Sequence, residues 1–69
     1  MITVMKRYEA HANKKVFEEE IGVFEDKEMA INHAVETFLR SNPETSEEEI
    51  ETMIAKEMFV DLDYTIYLK

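Results

Sequence analysis

The period of the hydrophobic pattern changes twice along this chain, from two residues to between three and four, and back to two. Alternation over 2–9 and 16–24 predicts two strands, joined by a polar hairpin loop at 10–15. Apolar residues then recur at helical spacing in two segments, and alternation over 59–68 predicts a third strand. The resulting order, ββααβ, predicts an α+β domain: a three-stranded, mainly antiparallel sheet with two helices packed on one face.

The middle of the chain is predicted to form two helices separated by Pro43. Asp26 is the expected N-cap of the first helix, which ends near Ser41 because a proline disfavours helical backbone at the residue before it. The second helix is expected over 46–58. Their inner faces are predicted to carry Ile31, Ala34, Val35, Phe38 and Leu39 in the first helix, and Ile50, Met53, Ile54 and Met58 in the second.

The position of the third strand stays open at this point. An up-and-down helix pair implies that it runs antiparallel to the second strand, but it fits beside either the second or the first. The second strand is expected to place Phe17, Ile21 and Val23 on one face. Gly22, the only glycine, indicates a β-bulge or a close approach by a helix.

The 69 residues are predicted to form a single small acidic domain, 1–69, without cysteine. A core of this size gives a thin stability margin, which makes a homodimer a reasonable expectation. No apolar run approaches the roughly 18 residues that span a bilayer. The absence of cysteine and of a secretory signal pattern favours a cytoplasmic location without membrane contact.

The distribution of charge is uneven. Residues 1–15 hold four basic side chains and one acidic one, a net charge of +3, whereas residues 16–69 hold four basic and fifteen acidic ones, a net charge of −11. This balance argues against direct nucleic-acid binding, which normally requires a basic surface. It favours a protein partner that is itself basic.

One face of the predicted sheet is left uncovered by the helices. It is expected to be polar and largely acidic, with a few large side chains, a common composition for a recognition surface. The residues predicted to lie on it are Met5, Arg7, Glu18, Glu20, Asp61, Asp63 and Tyr67.

The tract TSEEEIE at 45–51 is first of all a helix start. Ser46 with Glu49, or Thr45 with Glu48, fits a capping box, and carboxylates in the first turn complement the helix dipole. Two further interpretations remain: phosphorylation of Ser46, and imitation of nucleic-acid phosphates by carboxylates about 5–6 Å apart on one helix face.

Metal binding, cofactors and catalysis find little support in the residue pattern. His33 and Glu36 lie one helical turn apart, but two ligands do not close a site, and His33 is expected to be a surface residue. His11 falls in the predicted loop. Both serines fall at helix ends, and a chain with one glycine cannot form a phosphate-binding loop. The prediction is a protein that is not an enzyme and holds no cofactor.

In size, charge and lack of catalytic residues the chain resembles small acidic phage-type inhibitors of restriction and CRISPR nucleases, a resemblance of composition. It implies a module that occupies the basic nucleic-acid-binding surface of a partner, such as a nuclease, as a DNA mimic does. The residues predicted to bind the partner are Glu18, Glu20, Glu47, Glu48, Glu51, Asp61, Asp63 and Tyr67.

Two alternatives accompany this hypothesis. One is a structural or assembly protein that forms a homodimer through its sheet, because sheet edges offer unpaired backbone groups. The other is a nucleic-acid binder that uses the basic side chains near the N-terminus, namely Lys6, Arg7, Lys14 and Lys15.

Overall fold

The computed structural model describes residues 1–10 and 15–69. In these ranges the elements are β1 (Ile2–Ala10), β2 (Lys15–Phe24), α1 (Lys27–Ser41), α2 (Glu47–Lys56), β3 (Met58–Val60) and β4 (Tyr64–Leu68). The α+β class is confirmed. The predicted three-stranded sheet is wrong, because the described residues form four strands in the order ββααββ. Of the predicted loop at 10–15, residues 11–14 lie outside the described residues. Ala10 and Lys15 belong to β1 and β2.

The sheet is antiparallel throughout, with the strand order β2-β1-β4-β3. This order settles the position that the sequence left open, because β4 lies beside β1. β3 runs opposite to β2, as the helix pair implies for the strand that follows it. β4 reverses again, so the second half of the predicted third strand has the opposite direction to the one expected.

A turn at 61–63 divides that predicted strand in two. The backbone N–H of Asp61 donates to the carbonyl of Tyr64 at 2.9 Å, and the N–H of Leu62 donates to Oδ1 of Asp61 at 2.7 Å. Aspartate favours turns through such local hydrogen bonds. Leu62 is 91% exposed although it continues the apolar alternation. Alternation alone therefore does not distinguish one long strand from two short ones joined by a tight turn.

A β-bulge interrupts β2 at Ile21. Val4 pairs with Gly22 and Met5 pairs with Glu20, so Ile21 is an extra residue without an opposite partner. The bulge shifts the alternation of the strand by one residue.

The shift separates three residues that were expected to share a face. Val23 pairs with Thr3 on the uncovered face, whereas Phe17 pairs with Tyr8 on the face toward the helices. Ile21 is half-buried and packs against the core. The predicted common face is therefore wrong for Val23.

Gly22 lies where α1 approaches the bulge. A Cβ at this position would lie 2.7 Å from Cε2 of Phe24 and 3.2 Å from Cδ2 of His33. The ring of His33 donates from Nε2 to the carbonyl oxygen of Ile21 at 3.0 Å. Both features predicted for the glycine, a bulge and a close helix, are confirmed.

The hydrophobic core lies between the helices and one face of the sheet. α1 crosses β1, β2 and β4, and α2 lies beside α1 against β3. Two alanines of α1, Ala30 and Ala34, are fully buried and let the helix approach the sheet closely. The buried hydrophobic residues are Val4, Ala30, Ala34, Phe38, Ile50, Phe59, Tyr64 and Ile66.

The helix ends agree with the sequence prediction except at the end of α2. Oδ1 of Asp26 accepts from the N–H of Glu28 at 2.7 Å, and Oγ of Ser46 accepts from the N–H of Glu49 at 3.2 Å. α2 ends at Lys56 because Glu57 adopts the left-handed conformation, with φ of 56°. Met58 consequently lies in β3 and is exposed, not on the inner face of the helix.

The two helices are antiparallel, which gives the domain two distinct ends. Lys27 at the start of α1 forms an ion pair with Glu57 at the end of α2. At the opposite end, the side chain of Asn42 donates to the hydroxyl of Tyr64 at 3.4 Å. We call this opposite end the turn end; it contains the α1–α2 connection (42–46), the first turn of α2 and the β3–β4 turn (61–63).

Candidate protein-binding surface

The sheet face away from the helices, here called the open face, is left uncovered by packing of the described elements. The strand register assigns its side chains: Thr3, Met5, Arg7, Val16, Glu18, Glu20, Val23, Met58, Val60, Thr65 and Tyr67. Five of the seven residues predicted for this face are among them. Asp61 and Asp63 are not, because both lie in the β3–β4 turn.

Tyr67 links three strands of the open face. Its hydroxyl donates to Oε1 of Glu18 at 2.9 Å. Tyr67 is on β4 and Glu18 is on β2, two strands or about 10 Å away, so the phenol ring extends across β1. Arg7 of β1 lies opposite Glu18 in the strand register, and its positive charge acts on the same phenol. A carboxylate, a phenol and a guanidinium therefore lie together at the centre of this face.

The same carboxylate alters the acidity of the phenol. The hydrogen bond to Glu18, partial burial and the negative charge of Glu18 raise the pKa of Tyr67, and the positive charge of Arg7 offsets part of that rise. The neutral phenol is the donor of the bond, so its contribution to stability is complete below the ordinary tyrosine pKa. It is lost as the pH rises through the higher pKa of the folded protein.

Replacing Glu18 with glutamine tests this arrangement. Tyr67 is expected to ionise above the ordinary value of about 10 in the wild-type protein and closer to it in Glu18→Gln, since the variant removes the charge but keeps an acceptor. A pH titration followed by the absorbance of tyrosinate, from neutral pH up to the pH at which the protein unfolds, measures the pKa. The same titration of Tyr67→Phe shows which part of the signal comes from Tyr67. Identical titrations of the wild type and Glu18→Gln would contradict the assignment.

The β3 side of the open face is apolar. Met58 and Val60 are both exposed there. Their surface continues around the edge of the sheet into a groove of about 370 Å³ between β3 and α2, lined by Glu49, Thr52, Met53, Lys56, Met58 and Val60. The open face thus combines carboxylates over β2 with an apolar region over β3, and is less acidic than the sequence predicted.

Four of the remaining predicted site residues lie at the turn end, and Glu51 lies just beyond it on α2. Glu47 and Glu48 are in the first turn of α2, Glu51 is one turn further along, and Asp61 and Asp63 flank the tip of the β3–β4 turn. The structure therefore divides the eight predicted residues into two groups, with Glu18, Glu20 and Tyr67 on the open face and the other five on α2 and the β3–β4 turn. Their roles in partner binding stay predictions.

His33 has a structural position that differs from the surface location expected for it. The ring is half-buried, lies 5.2 Å from the ring of Phe24 between centroids, and bonds to the bulge carbonyl. Glu36, its suggested partner for a metal, instead pairs with Arg40 at 3.3 Å. Among the described residues, no three histidine, aspartate or glutamate side chains are grouped closely enough to hold a metal ion.

The basic side chains of β1 point to opposite sides of the sheet. Lys6 lies on the helix side, with Nζ 4.3 Å from the ring centroid of Tyr64 and 5.0 Å from that of Tyr8, which are cation–π distances. Arg7 lies on the open face. These two residues do not form a common basic patch, and Lys14 lies outside the described residues.

Several exposed apolar residues of the sheet, among them Phe17, Val23, Met58 and Val60, were missed from the sequence as surface candidates. Phe17 was assigned to the covered face, which is correct, but it is 56% exposed because it lies on the outermost strand. Met58 is predicted on the inner face of the second helix, and Val23 and Val60 on covered strand faces, yet all three are exposed on the open face. Only the glycine at position 22 offered a local signal of irregular pairing, and nothing comparable marks Glu57 as a helix end.

No protein-family model matches this chain, and no curated protein or solved structure matches it either. Within the described ranges, neither helix has the length and apolar character needed to cross a membrane.

Proposed function

We propose that this chain is a non-enzymatic, acidic protein-binding module that occupies the basic nucleic-acid-binding surface of a partner protein. The observation that carries the proposal is the open face, a single uncovered surface that Glu18 and Glu20 share with exposed apolar residues, namely Val16 and Val23 on β2 and Met58 and Val60 on β3. Apolar contact area combined with a few placed charges is characteristic of protein interfaces.

The negative charge of the chain supports a partner with a positively charged surface. The net charge of −8 attracts a positively charged surface from a distance and accelerates association. Glu18 and Glu20 are two residues apart on one strand, which separates them by about 7 Å along the chain. This spacing is of the same order as that of phosphates along a nucleic-acid strand. A groove lined with arginine and lysine fits such a surface, and its occupation excludes the natural ligand.

Capture from a bacterial lysate on the immobilised protein tests the proposal. Basic nucleic-acid-binding proteins are expected to be retained at low salt and released by about 0.5 M salt, because exposed charge pairs are screened. A purified captured protein should then lose binding to a labelled DNA or RNA duplex as the module is added. Retention of acidic or neutral proteins only, or of proteins that salt does not release, would contradict the proposal.

A matched pair of variants locates the contact. Glu18→Gln/Glu20→Gln and Glu47→Gln/Glu48→Gln remove the same charge from the open face and from α2. Binding to the captured protein should fall more in the first variant, because its carboxylates lie on the same face as the apolar contact area. A larger loss in the second variant would move the site to the turn end.

A second candidate function is assembly into a homodimer through the sheet. The observation that favours it is the apolar region of the open face around Met58 and Val60, which extends toward Met5 and Tyr67. Two such faces in contact would exclude water from these side chains. Sedimentation velocity of the same preparation separates the candidates, since a strict monomer at high protein concentration and high salt rules out the assembly role.

A further inference from the structure

The outer edge of β2 is an unpaired strand edge with an ordered pattern of backbone groups. In the part of the chain that the structure describes, β2 pairs only with β1. Thr3 of β1 and Lys69, which follows β4, donate backbone hydrogen bonds to each other, at 3.1 and 2.8 Å. The backbone N–H and C=O groups of the odd-numbered residues of β1 therefore point toward β4. The backbone groups of its even-numbered residues, including Lys6 and Tyr8, point toward β2.

The register then determines which backbone groups of β2 point outward. Phe17 and Glu19 lie opposite Tyr8 and Lys6 and bond to β1. Their neighbours Val16, Glu18 and Glu20 direct N–H and C=O groups away from the sheet. The side chains of these three residues all lie on the open face. The stretch from 16 to 20 precedes the bulge and offers a regular edge for one more strand.

The other edge of the sheet is much less suited to strand addition. β3 has three residues, and α2 lies against it. Short edge strands and neighbouring helices are features that limit edge pairing. β2 has ten residues, and Val16 and Phe17 are exposed along it. A long edge with exposed apolar side chains is a surface on which an extended segment gains both hydrogen bonds and apolar contacts.

The glutamates of β2 favour a basic strand over a second copy of β2 at this edge. Glu18, Glu19 and Glu20 are all exposed, and neither of the ion pairs formed among the described residues involves them. A second copy of β2 would bring glutamates opposite or next to glutamates, which destabilises a strand pair. A strand with lysine or arginine opposite Glu18 and Glu20 gains cross-strand attraction instead.

From the edge and its charges we infer that β2 binds an extended basic segment of its partner, which adds to the sheet as a fifth, antiparallel strand. Basic side chains of the segment lie opposite Glu18 and Glu20 on the open face. Apolar side chains alternate with them and lie near Phe17 on the helix side. The inference rests on the proposed function in one respect, the basic character of the partner.

Three synthetic peptides of identical charge test this mode of binding. Each is a nine-residue, end-blocked alternation of lysine and valine; one is unmodified, one is N-methylated on the lysine backbone and one on the valine backbone. Residues opposite Glu18 and Glu20 in an antiparallel pair direct their N–H groups to β2, so methylation of the lysines blocks the edge. Methylation of the valines leaves it accessible.

The unmodified and valine-methylated peptides are expected to bind, and the lysine-methylated peptide to bind at least about tenfold more weakly, because it forfeits the intermolecular hydrogen bonds. Amide exchange by NMR should slow at Glu18 and Glu20 with the binding peptides and change little at Phe17 and Glu19. Glu18→Lys/Glu20→Lys should abolish binding, whereas Glu47→Lys/Glu48→Lys, with the same change in charge, should retain most of it.

The outcomes distinguish this inference from the function on which it rests. Equal, salt-sensitive binding of all three peptides would overturn strand addition and leave an acidic surface that attracts basic chains without pairing. Failure of all three to bind would overturn strand addition and count against a basic partner as well. In that case the glutamates of β2 serve only to prevent pairing of the edge.

Discussion

Replacing Phe59 with alanine is expected to lower the free energy of unfolding by about 3–5 kcal/mol, the usual cost of truncating a buried phenylalanine. Phe59 is fully buried, pairs with Ile66 across the β3–β4 hairpin, and lies 6.1 Å from the ring of Phe38 on α1 between centroids. It therefore joins the last two strands to the helix layer. A domain of 69 residues has a total stability of roughly 3–10 kcal/mol, so the variant should be close to unfolding at room temperature.

Urea denaturation followed by circular dichroism measures this change. Leu62→Ala is the control in the adjacent turn, because its side chain is 91% exposed and its removal should alter stability by no more than about 0.5 kcal/mol. Similar stabilities for the two variants would show that Phe59 does not occupy the core position described.

Replacing Gly22 with alanine is expected to lower the free energy of unfolding by roughly 1–3 kcal/mol, the range for overpacking at a tight contact. The new methyl group would lie 2.7 Å from Cε2 of Phe24 and 3.2 Å from Cδ2 of His33. Both rings must move. The movement weakens the hydrogen bond between His33 and the carbonyl of Ile21, which connects α1 to the bulge.

Gly22→Ala combined with Phe24→Leu tests whether the Phe24 ring causes the expected loss of stability. In Phe24→Leu the clashing ring atom is absent, so Gly22→Ala should cost clearly less there than in the wild-type chain. Chemical denaturation of the wild type, the two single variants and the double variant gives the comparison, and NMR signals of the His33 ring report whether its bond to the bulge persists. An equal cost in both backgrounds would show that the ring of Phe24 is not what excludes a side chain at position 22.

The open face and the β2 edge form one continuous surface. Glu18 and Glu20 belong to both, since their side chains lie on the face and their backbone groups point outward. A partner segment added to β2 would bring its basic side chains next to Glu18, the carboxylate that also accepts a hydrogen bond from the hydroxyl of Tyr67. The acidic residues at the turn end lie apart from this surface and contribute to the long-range field of the domain.

Much of the fold was predictable because its signals are local. The stripe of α1, the caps at Asp26 and Ser46, and the stop before Pro43 each depend on residues within a few positions of one another, and the structure contains all of them. The same holds for the two strands of the first hairpin. Of the candidate site, the placement of Glu18, Glu20 and Tyr67 on the uncovered face also followed from alternation.

Most of the misplaced residues depend on pairing between distant segments, whereas Met58 depends on the backbone conformation of its neighbour Glu57. Val60, Leu62 and Tyr64 alternate as they would in one strand, yet the chain turns there because β4 pairs with β1 and β3 pairs back onto β4. Met58 fits the helical period, but a left-handed residue ends the helix before it. Val23 is on the opposite face to the one expected because the register of β2 shifts at Ile21.

The sequence by itself determined the class of the domain, the positions of its helices and first hairpin, and the excess of negative charge, because these depend on composition and on short-range periodicity. Only the tertiary structure decided the strand order, the second hairpin and the division of the acidic residues between the open face and the turn end. Pairing, register and burial depend on which remote segments meet, and a period of two residues is the same for every strand whichever neighbour it has. The unpaired edge of β2, with three glutamates beside exposed apolar residues, is a consequence of that order.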